Sequence, residues 1–305
     1  MTTTSLEDLA KQLEASPDHR VLRRLVESRT LSTHVPERIA YGVTLDTETT
    51  GKDTATDKLI ELGLVLFSYD PDLGVPLKVL DEYSGLQDPG MPISPEATSV
   101  NGITDEMVAG KSIDRERMKS ILTRADIVIA HNAPFDRKIA EAFDESFKSK
   151  AWACSFRQIP WAKLGVSSAK LEYIAVTQGF FYEAHRAGTD CRALLQVLST
   201  PLRDGLTGLK YLTEASSATG LDLWAMDTAF ATKGLLAGRG YSFGDGNNGT
   251  ERAWHKEVAT ADVEAEVQWL RTTIYGGKKF RLVQDKVSAT TRFSGRREGT
   301  ETAYY

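Results

Sequence analysis

Two carboxylates two positions apart close an otherwise apolar run in "YGVTLDTETTG", residues 41–51. Side chains two apart share a face of a strand, so Asp46 and Glu48 aim their oxygens at a common point while Thr47 points away. Desolvating one unpaired charge is expensive, and two anions aimed together call for a cation. Further on, "AHNAPFD" places Asp136 just after an apolar stretch, and "HRAGTD" places His185 five residues ahead of Asp190. Each has a structural explanation when taken singly. Asp136 and Asp190 suit a helix's first turn, where an anion complements the dipole, and His185 suits a hydrogen-bonded loop. Four acids at strand ends and helix starts, together with a histidine, outweigh those separate explanations.

The elements that must position these groups are legible around them. "YGVTL", "LIELGLVLFSY" and "LKVLDEYSG" are apolar or alternating runs at hairpin-like intervals and predict three strands. "ISPEATSVNGITDEMVAG" reads as a loop entering a short helix, "DRERMKSILTRA" as a surface helix and "DIVIAHN" as a buried strand. "APFDRKIAEAFDESF", with Pro134 in its first turn, and "AGTDCRALLQVLS" read as helices. Strands followed by alternating helix and strand predict an α/β domain with a mixed sheet over residues 39–204. Ahead of it, Leu6, Leu9 and Leu13 and then Val21, Leu22 and Leu25 suggest one or two amphipathic helices over residues 5–28, in an N-terminal helical extension spanning 1–38.

Residues 205–305 read as a small α+β module. It contains a short helix in "TAFATKGLLAGRG", a hairpin from "YSF" to "RAWHKEV" across "GDGNNGTE", and the helix "DVEAEVQWLRTTIYGG". Its last stretch, "KKFRLVQDKVSATTRFSGRREGTETAYY", is basic through Arg297 and then polar, the composition of a partly disordered tail. Tyr241, Phe243 and Trp254, with Arg239, Arg252 and Lys256 around them, could stack unpaired bases; a mini-core under the hairpin is preferred for Trp254 and Trp269. The basic stretch interleaved with Phe280 and Phe293 suits either a groove that tracks a nucleic-acid backbone or a solvated tail.

With 41% hydrophobic and 26% charged residues among 305, the chain is globular. A net charge of −5 argues against coating nucleic acid non-specifically, although carboxylates gathered around cations make the global charge a poor guide. Cys154 and Cys191 are too few for a disulfide framework or zinc site and read as packing residues. The polar, acidic start and the lack of a long apolar run place the chain in the cytoplasm, away from membranes.

The three motifs, in this order, resemble the DEDDh (DnaQ-like) 3′-to-5′ exonuclease family, that of the DNA polymerase III epsilon proofreading subunit. "LDTETTG" is similar to its first motif, "AHNAPFD" to its second and "HRAGTDCRALL" to its third, over roughly residues 40–200. The resemblance implies an RNase H-like fold. It also implies that Asp46, Glu48, Asp136 and Asp190 bind two divalent ions, with His185 as general base. Hard oxygen donors favour Mg²⁺ or Mn²⁺. Thr47 and Thr49 would meet the terminal nucleotide, with Asn132 a further candidate; turn hydroxyls that satisfy local backbone are the structural alternative. His131, beside a strand end, is as readily structural as catalytic, and His19, His34 and His255 lie outside the matching segment.

The expected activity is removal of nucleoside monophosphates from nucleic-acid 3′ ends, DNA slightly favoured. An RNA-processing exonuclease of the RNase T or oligoribonuclease kind is the close alternative, and a non-catalytic nucleic-acid-binding protein a third. An aspartyl-phosphate phosphatase needs a second aspartate where Glu48 stands and leaves "HRAGTD" unexplained. A homodimer through the N-terminal helices is conceivable, and the oligomeric state is open.

Overall fold

In the computed structural model, which describes all residues except 1–4, 245, 247–250, 297 and 298, helix α1 (Leu6–Glu14) opens the chain under a Ser5 capping box. Of the one or two helices suggested over residues 5–28, one forms. The helix stops at Ala15, ahead of Pro17, and the chain runs extended through β1 (Arg23–Arg24). Leu25 and Leu31 thereby reach the edge of the main core.

Strands β2 (Ala40–Thr49), β3 (Leu59–Asp70) and β4 (Val75–Leu86) form the expected antiparallel meander. Helices α2 (Pro95–Asn101), α3 (Asp105–Val108) and α4 (Arg115–Arg124) lead to β5 (Ile127–Ala130), which pairs with β2 in parallel. Helix α5 (Ala133–Phe143) returns the chain to β6 (Ala151–Cys154), a strand whose four residues are too few to show a period. Then come α6 (Ser155–Gln158), α7 (Leu171–Thr177), β7 (Phe180–Phe181), which pairs with β1, and α8 (Ala187–Ser199).

The five strands lie in the order β4-β3-β2-β5-β6, with three antiparallel and two joined in parallel, which is the RNase H-like mixed sheet expected. Alternation within β2 and β3 sorts side chains between two faces. Val43, Leu45, Leu64 and Leu66 pack with Met118 and Ile139, while Val65 and Phe67 pack with Ile174, Leu194 and Leu198. Cys154 and Cys191 are buried free thiols, as expected of packing residues. Residues 29–32 cover part of the sheet's edge: the amides of Leu31 and Ser32 donate to Leu77 O, and that of Val79 donates to Arg29 O.

Helix α9 (Gly208–Ser217) places Leu209 and Leu212 in the first core, so this helix beyond residue 204 belongs with the first sheet and not with the module. The second sheet begins at β8 (Gly220–Ala225). After α10 (Lys233–Gly238), strand β9 (Ser242–Phe243) pairs with β10 (Trp254–Ala259) as the expected hairpin, most of whose connecting loop lies outside the described residues. Helix α11 (Val263–Trp269) continues through a π turn to Ile274. The stretch expected as a loose basic tail instead supplies β11 (Arg281–Val287) and β12 (Glu301–Tyr304); Arg297 lies outside the described residues. In β11 the basic residues interrupt an apolar set, and Leu282 joins Leu223, Leu236 and Leu270 beneath the sheet, which outweighs local polarity. No helix among the described residues is long and apolar enough to cross a membrane.

Candidate active site

The last residues of β2 carry Asp46 and Glu48, and a bulge after Glu48 ends the regular pairing with β3. Asp190 arrives from the first turn of α8, which lies against β3 so closely that a Cβ on Gly63 would stand 2.3 Å from Ala187 backbone atoms. Glycine at 63 is therefore a condition for this approach. Carboxylate oxygens of Asp46, Glu48 and Asp190 lie within 4.8 Å of one another. Asp136, on the first turn of α5, stands beside this group, and its Oδ1 accepts hydrogen bonds from the Thr47 amide (3.2 Å) and hydroxyl (2.8 Å).

Burial pushes all four acids up, and their mutual repulsion adds to it. Asp46 is raised well above the carboxylate range by desolvation and then by Asp136, Asp190 and Glu48. Glu48 is lifted to about 7 mainly by burial, against an opposing hydrogen bond from Asn101. Desolvation carries Asp136 to about 7 despite the Thr47 bonds, and Asp190 to about 6 despite bonds from Arg186 and Tyr182. Such a set of hard oxygen donors, held together at an electrostatic cost, suits a divalent cation.

The family model described as "Exonuclease" matches residues 43–198, just over half of the chain. The chain belongs to this exonuclease family. It is 28% identical over 175 residues to the DNA polymerase III subunit epsilon of Treponema pallidum, covering 54% of this chain and 78% of that protein. It is 30% identical over 161 residues to the PolC-type DNA polymerase III of Thermotoga maritima, covering 51% of this chain and 11% of the relative, so it spans a small part of that protein's length. Among solved structures, exonuclease X in complex with 5′ overhanging duplex DNA aligns over 55% of this chain and 99% of its own, at 22% identity and a TM-score of 0.38. Exonuclease I from Methylocaldum szegediense aligns over 62% of this chain and 49% of its own, at 17% identity and a TM-score of 0.46.

Within the exonuclease domain, the acids rest on residues that the motifs alone did not single out. Glu61 faces Glu48 across the β2–β3 pair and is buried. It accepts from Arg186 Nη2 (3.0 Å) and Nε (3.2 Å), from the Ala187 amide (3.1 Å) and from the Ser84 hydroxyl (3.2 Å). This clamp fixes the turn before α8, where His185 is exposed with φ at 66°. That conformation is uncommon for a residue with a side chain and marks an over-determined turn. Asp190 accepts from the Arg186 amide (2.9 Å) and the Tyr182 hydroxyl (3.2 Å). Asn101 Nδ2 donates to Glu48 Oε2 over 3.2 Å. The one signal for Asn101 was its place in "ISPEATSVNGITDEMVAG", the stretch that reads as a loop entering a short helix, whereas Glu61 read only as one residue of an apolar strand.

The expected substrate contacts separate. Thr47 spends its hydroxyl on Asp136, and Thr49 donates to Gly51 O over 2.5 Å within its own turn. Asn132 is exposed at the start of α5, and its side chain forms no hydrogen bond among the described residues. His131 is structural. Its Nε2 donates to Ala169 O (2.8 Å), its Nδ1 meets Ser155 Oγ (2.8 Å), and burial pushes it down to about 4.

Of the two readings of the aromatics in the second sheet, the described residues follow the mini-core preferred for Trp254 and Trp269, both of which pack against the small core, rather than a stacking platform. Tyr241 is buried in the small core, Trp254 packs against it and only Phe243 is exposed, while Arg239 and Lys256 both pair with Glu266. Among the described residues, the basic stretch forms neither of the two alternatives, a backbone-tracking groove or a solvated tail. Phe280 is stacked between Tyr275 and Tyr305, Phe293 packs against the exonuclease core, and Arg292 is buried on Glu257.

Proposed function

We propose that the chain is a 3′-to-5′ exonuclease that depends on two Mg²⁺ or Mn²⁺ ions and releases nucleoside monophosphates, with DNA the favoured substrate. The observation that carries this reading is the convergence of Asp46 and Glu48 from β2 with Asp190 from α8, beside Asp136. Asp46, Glu48, Asp136 and Asp190 would hold the cations, which supply charge stabilisation to the attacking and leaving oxygens of an in-line displacement. His185 takes the proton of the attacking water, its imidazole being presented toward solvent on a braced turn five residues ahead of Asp190. Glu61 and Arg186 keep that turn in place, and Tyr182 orients Asp190. The motifs of the proofreading kind favour DNA, and the residues at the end of β2 would receive the terminal nucleotide.

The test is incubation with 5′-end-labelled single-stranded DNA or RNA, in Mg²⁺, Mn²⁺ or EDTA, beside Asp46→Ala. A metal-dependent ladder shortening from the 3′ end, lost in the variant, is the expected result. Retention of the strand without cleavage would identify a binding protein, and a faster ladder on RNA would move the substrate to that class.

A further inference from the structure

Strands β2, β5 and β6 run parallel, pairing Thr44 with Ile129 and Ala130 with Cys154. Their C-terminal ends therefore form a row along one edge of the sheet, first Asp46, then His131 and Asn132, then Ser155 and Phe156. Neighbouring strands stand about 4.8 Å apart, so the chain at Phe156 lies roughly 10 Å from the strand that bears the acids. That is within reach of the nucleotides just upstream of a terminal one.

His131 is the post of this row. Through Ser155 and Ala169 it ties the end of β5 to the start of α6 and to the loop before α7. The Phe156 amide donates to His131 O (3.1 Å), and the two rings meet edge-on at 5.8 Å. Held in this way, Phe156 remains 43% exposed, and Tyr173, one turn beyond Ala169, remains 41% exposed with its hydroxyl on Ser167 Oγ at 2.7 Å. Large aromatic side chains held in place, Phe156 through its amide and Tyr173 through its hydroxyl, and left open to solvent need a reason, because each would gain by burial. The same segment, residues 155–173, carries Arg157, Lys163 and Lys170 against the single acid Glu172, in a chain of net charge −5. None of the three cations is paired with a carboxylate among the described residues.

We propose that Phe156 and Tyr173, flanked by Arg157 and Lys170, form the track that holds the unpaired nucleotides upstream of the bond to be cut. The ligand class is single-stranded nucleic acid, bound through base stacking and phosphate charge without sequence preference. This rests on the exonuclease reading and extends it from the terminal nucleotide to the strand behind it.

The experiment compares a twelve-nucleotide oligothymidylate with thymidine dinucleotide. The unaltered chain is expected to favour the longer strand in kcat/KM. Phe156→Ala is expected to erase most of that advantage, on the order of tenfold and chiefly through KM, while Phe156→Tyr restores it. Persistence of the advantage in Phe156→Ala, or an equal fall on both substrates, overturns the proposal. Affinity is read separately by fluorescence anisotropy of the labelled 12-mer in an Asp46→Asn background. There Phe156→Ala is expected to weaken binding about tenfold, and unchanged binding overturns the track. If the unaltered chain cuts neither substrate yet the binding result holds, the exonuclease reading fails and the track stands.

Discussion

Asp136 and Arg137 are consecutive on α5, both are buried, and their surroundings treat them in opposite ways. Arg137 donates to Glu141 Oε1 (2.7 Å), Arg292 O (2.7 Å) and Thr290 O (2.5 Å), which joins the exonuclease helix to the segment that follows β11. Glu141 also accepts from Ser294 Oγ (2.7 Å) and Arg296 Nη2 (3.2 Å). Burial pushes Glu141 up, yet these bonds carry it below the ordinary carboxylate range. Asp136, bonded by Thr47 and by its own backbone, stays high, among acids that are all high. The junction is a set of charges completed by the chain itself. The site is a set left incomplete, so its electrostatic cost is available to whatever ligand relieves it.

If that contrast is correct, the two regions respond to mutation in opposite senses. Asp46→Asn is expected to lower exonuclease activity by ~10³-fold or more while raising the melting temperature of the metal-free protein at pH 8. A variant that lost activity and stability together would show that the cluster is an ordinary part of the core. Arg137→Met is expected to cost roughly 3–5 kcal/mol in urea unfolding, because it takes the buried cation from Glu141, which keeps only Ser294 and Arg296, and removes the side-chain donor to Arg292 O. A loss under about 1 kcal/mol would mean that solvent or neighbouring residues satisfy the junction without it.

The pH dependence sharpens the same distinction. An acid raised in the folded state is protonated there at pH values where the unfolded chain has already released its proton. Its destabilising effect is absent below about 4, grows as pH rises, and is complete above the folded value. With Glu48 and Asp136 at about 7 and Asp190 at about 6, the metal-free protein should lose stability steadily from pH 4 to 8, by a few kcal/mol. Saturating Mg²⁺ or Mn²⁺ should recover most of that loss at pH 8, since a ligand of the folded state alone stabilises by mass action. Melting curves in EDTA across this range, beside curves with metal, measure both. A flat metal-free profile would remove the basis for calling the site incomplete.

Much of the site was legible from sequence because its acids sit where local pattern changes, at the end of an apolar strand and at the start of two helices. The junction was not. In "APFDRKIAEAF" Arg137 looks like the solvent side of an amphipathic helix, and the carbonyls that receive it lie some 150 residues away. Strand β11 was hidden for the same reason: its basic residues are local, whereas its pairing with β8 spans the module. Glu61 is a third case. Within "LIELGLVLF" it reads as an interruption, and only the register opposite Glu48 and the arrival of Arg186 give it a role. Long-range polar satisfaction leaves little trace in a single sequence, while hydrophobic period and strand punctuation leave a clear one.

Asp190 stands between the two regimes and gives the finest test. Alone among the four acids it has both a backbone donor, the Arg186 amide, and a phenol, Tyr182, whose hydroxyl lies 3.2 Å from Oδ1. It is accordingly raised less than Glu48 or Asp136, to about 6. Tyr182→Phe keeps the ring that packs against the core and removes only this donor. A hydrogen bond to a charged group contributes roughly 1.5–3 kcal/mol, and the expected effect lies at the low end because the donor orients the acid without being its sole partner. The concentration of Mg²⁺ needed for half-maximal activity should therefore rise several-fold, with kcat at saturating metal changed by less than about threefold. A fall in kcat that excess metal does not recover would place Tyr182 against the substrate instead, and would move Asp190 fully into the incomplete set.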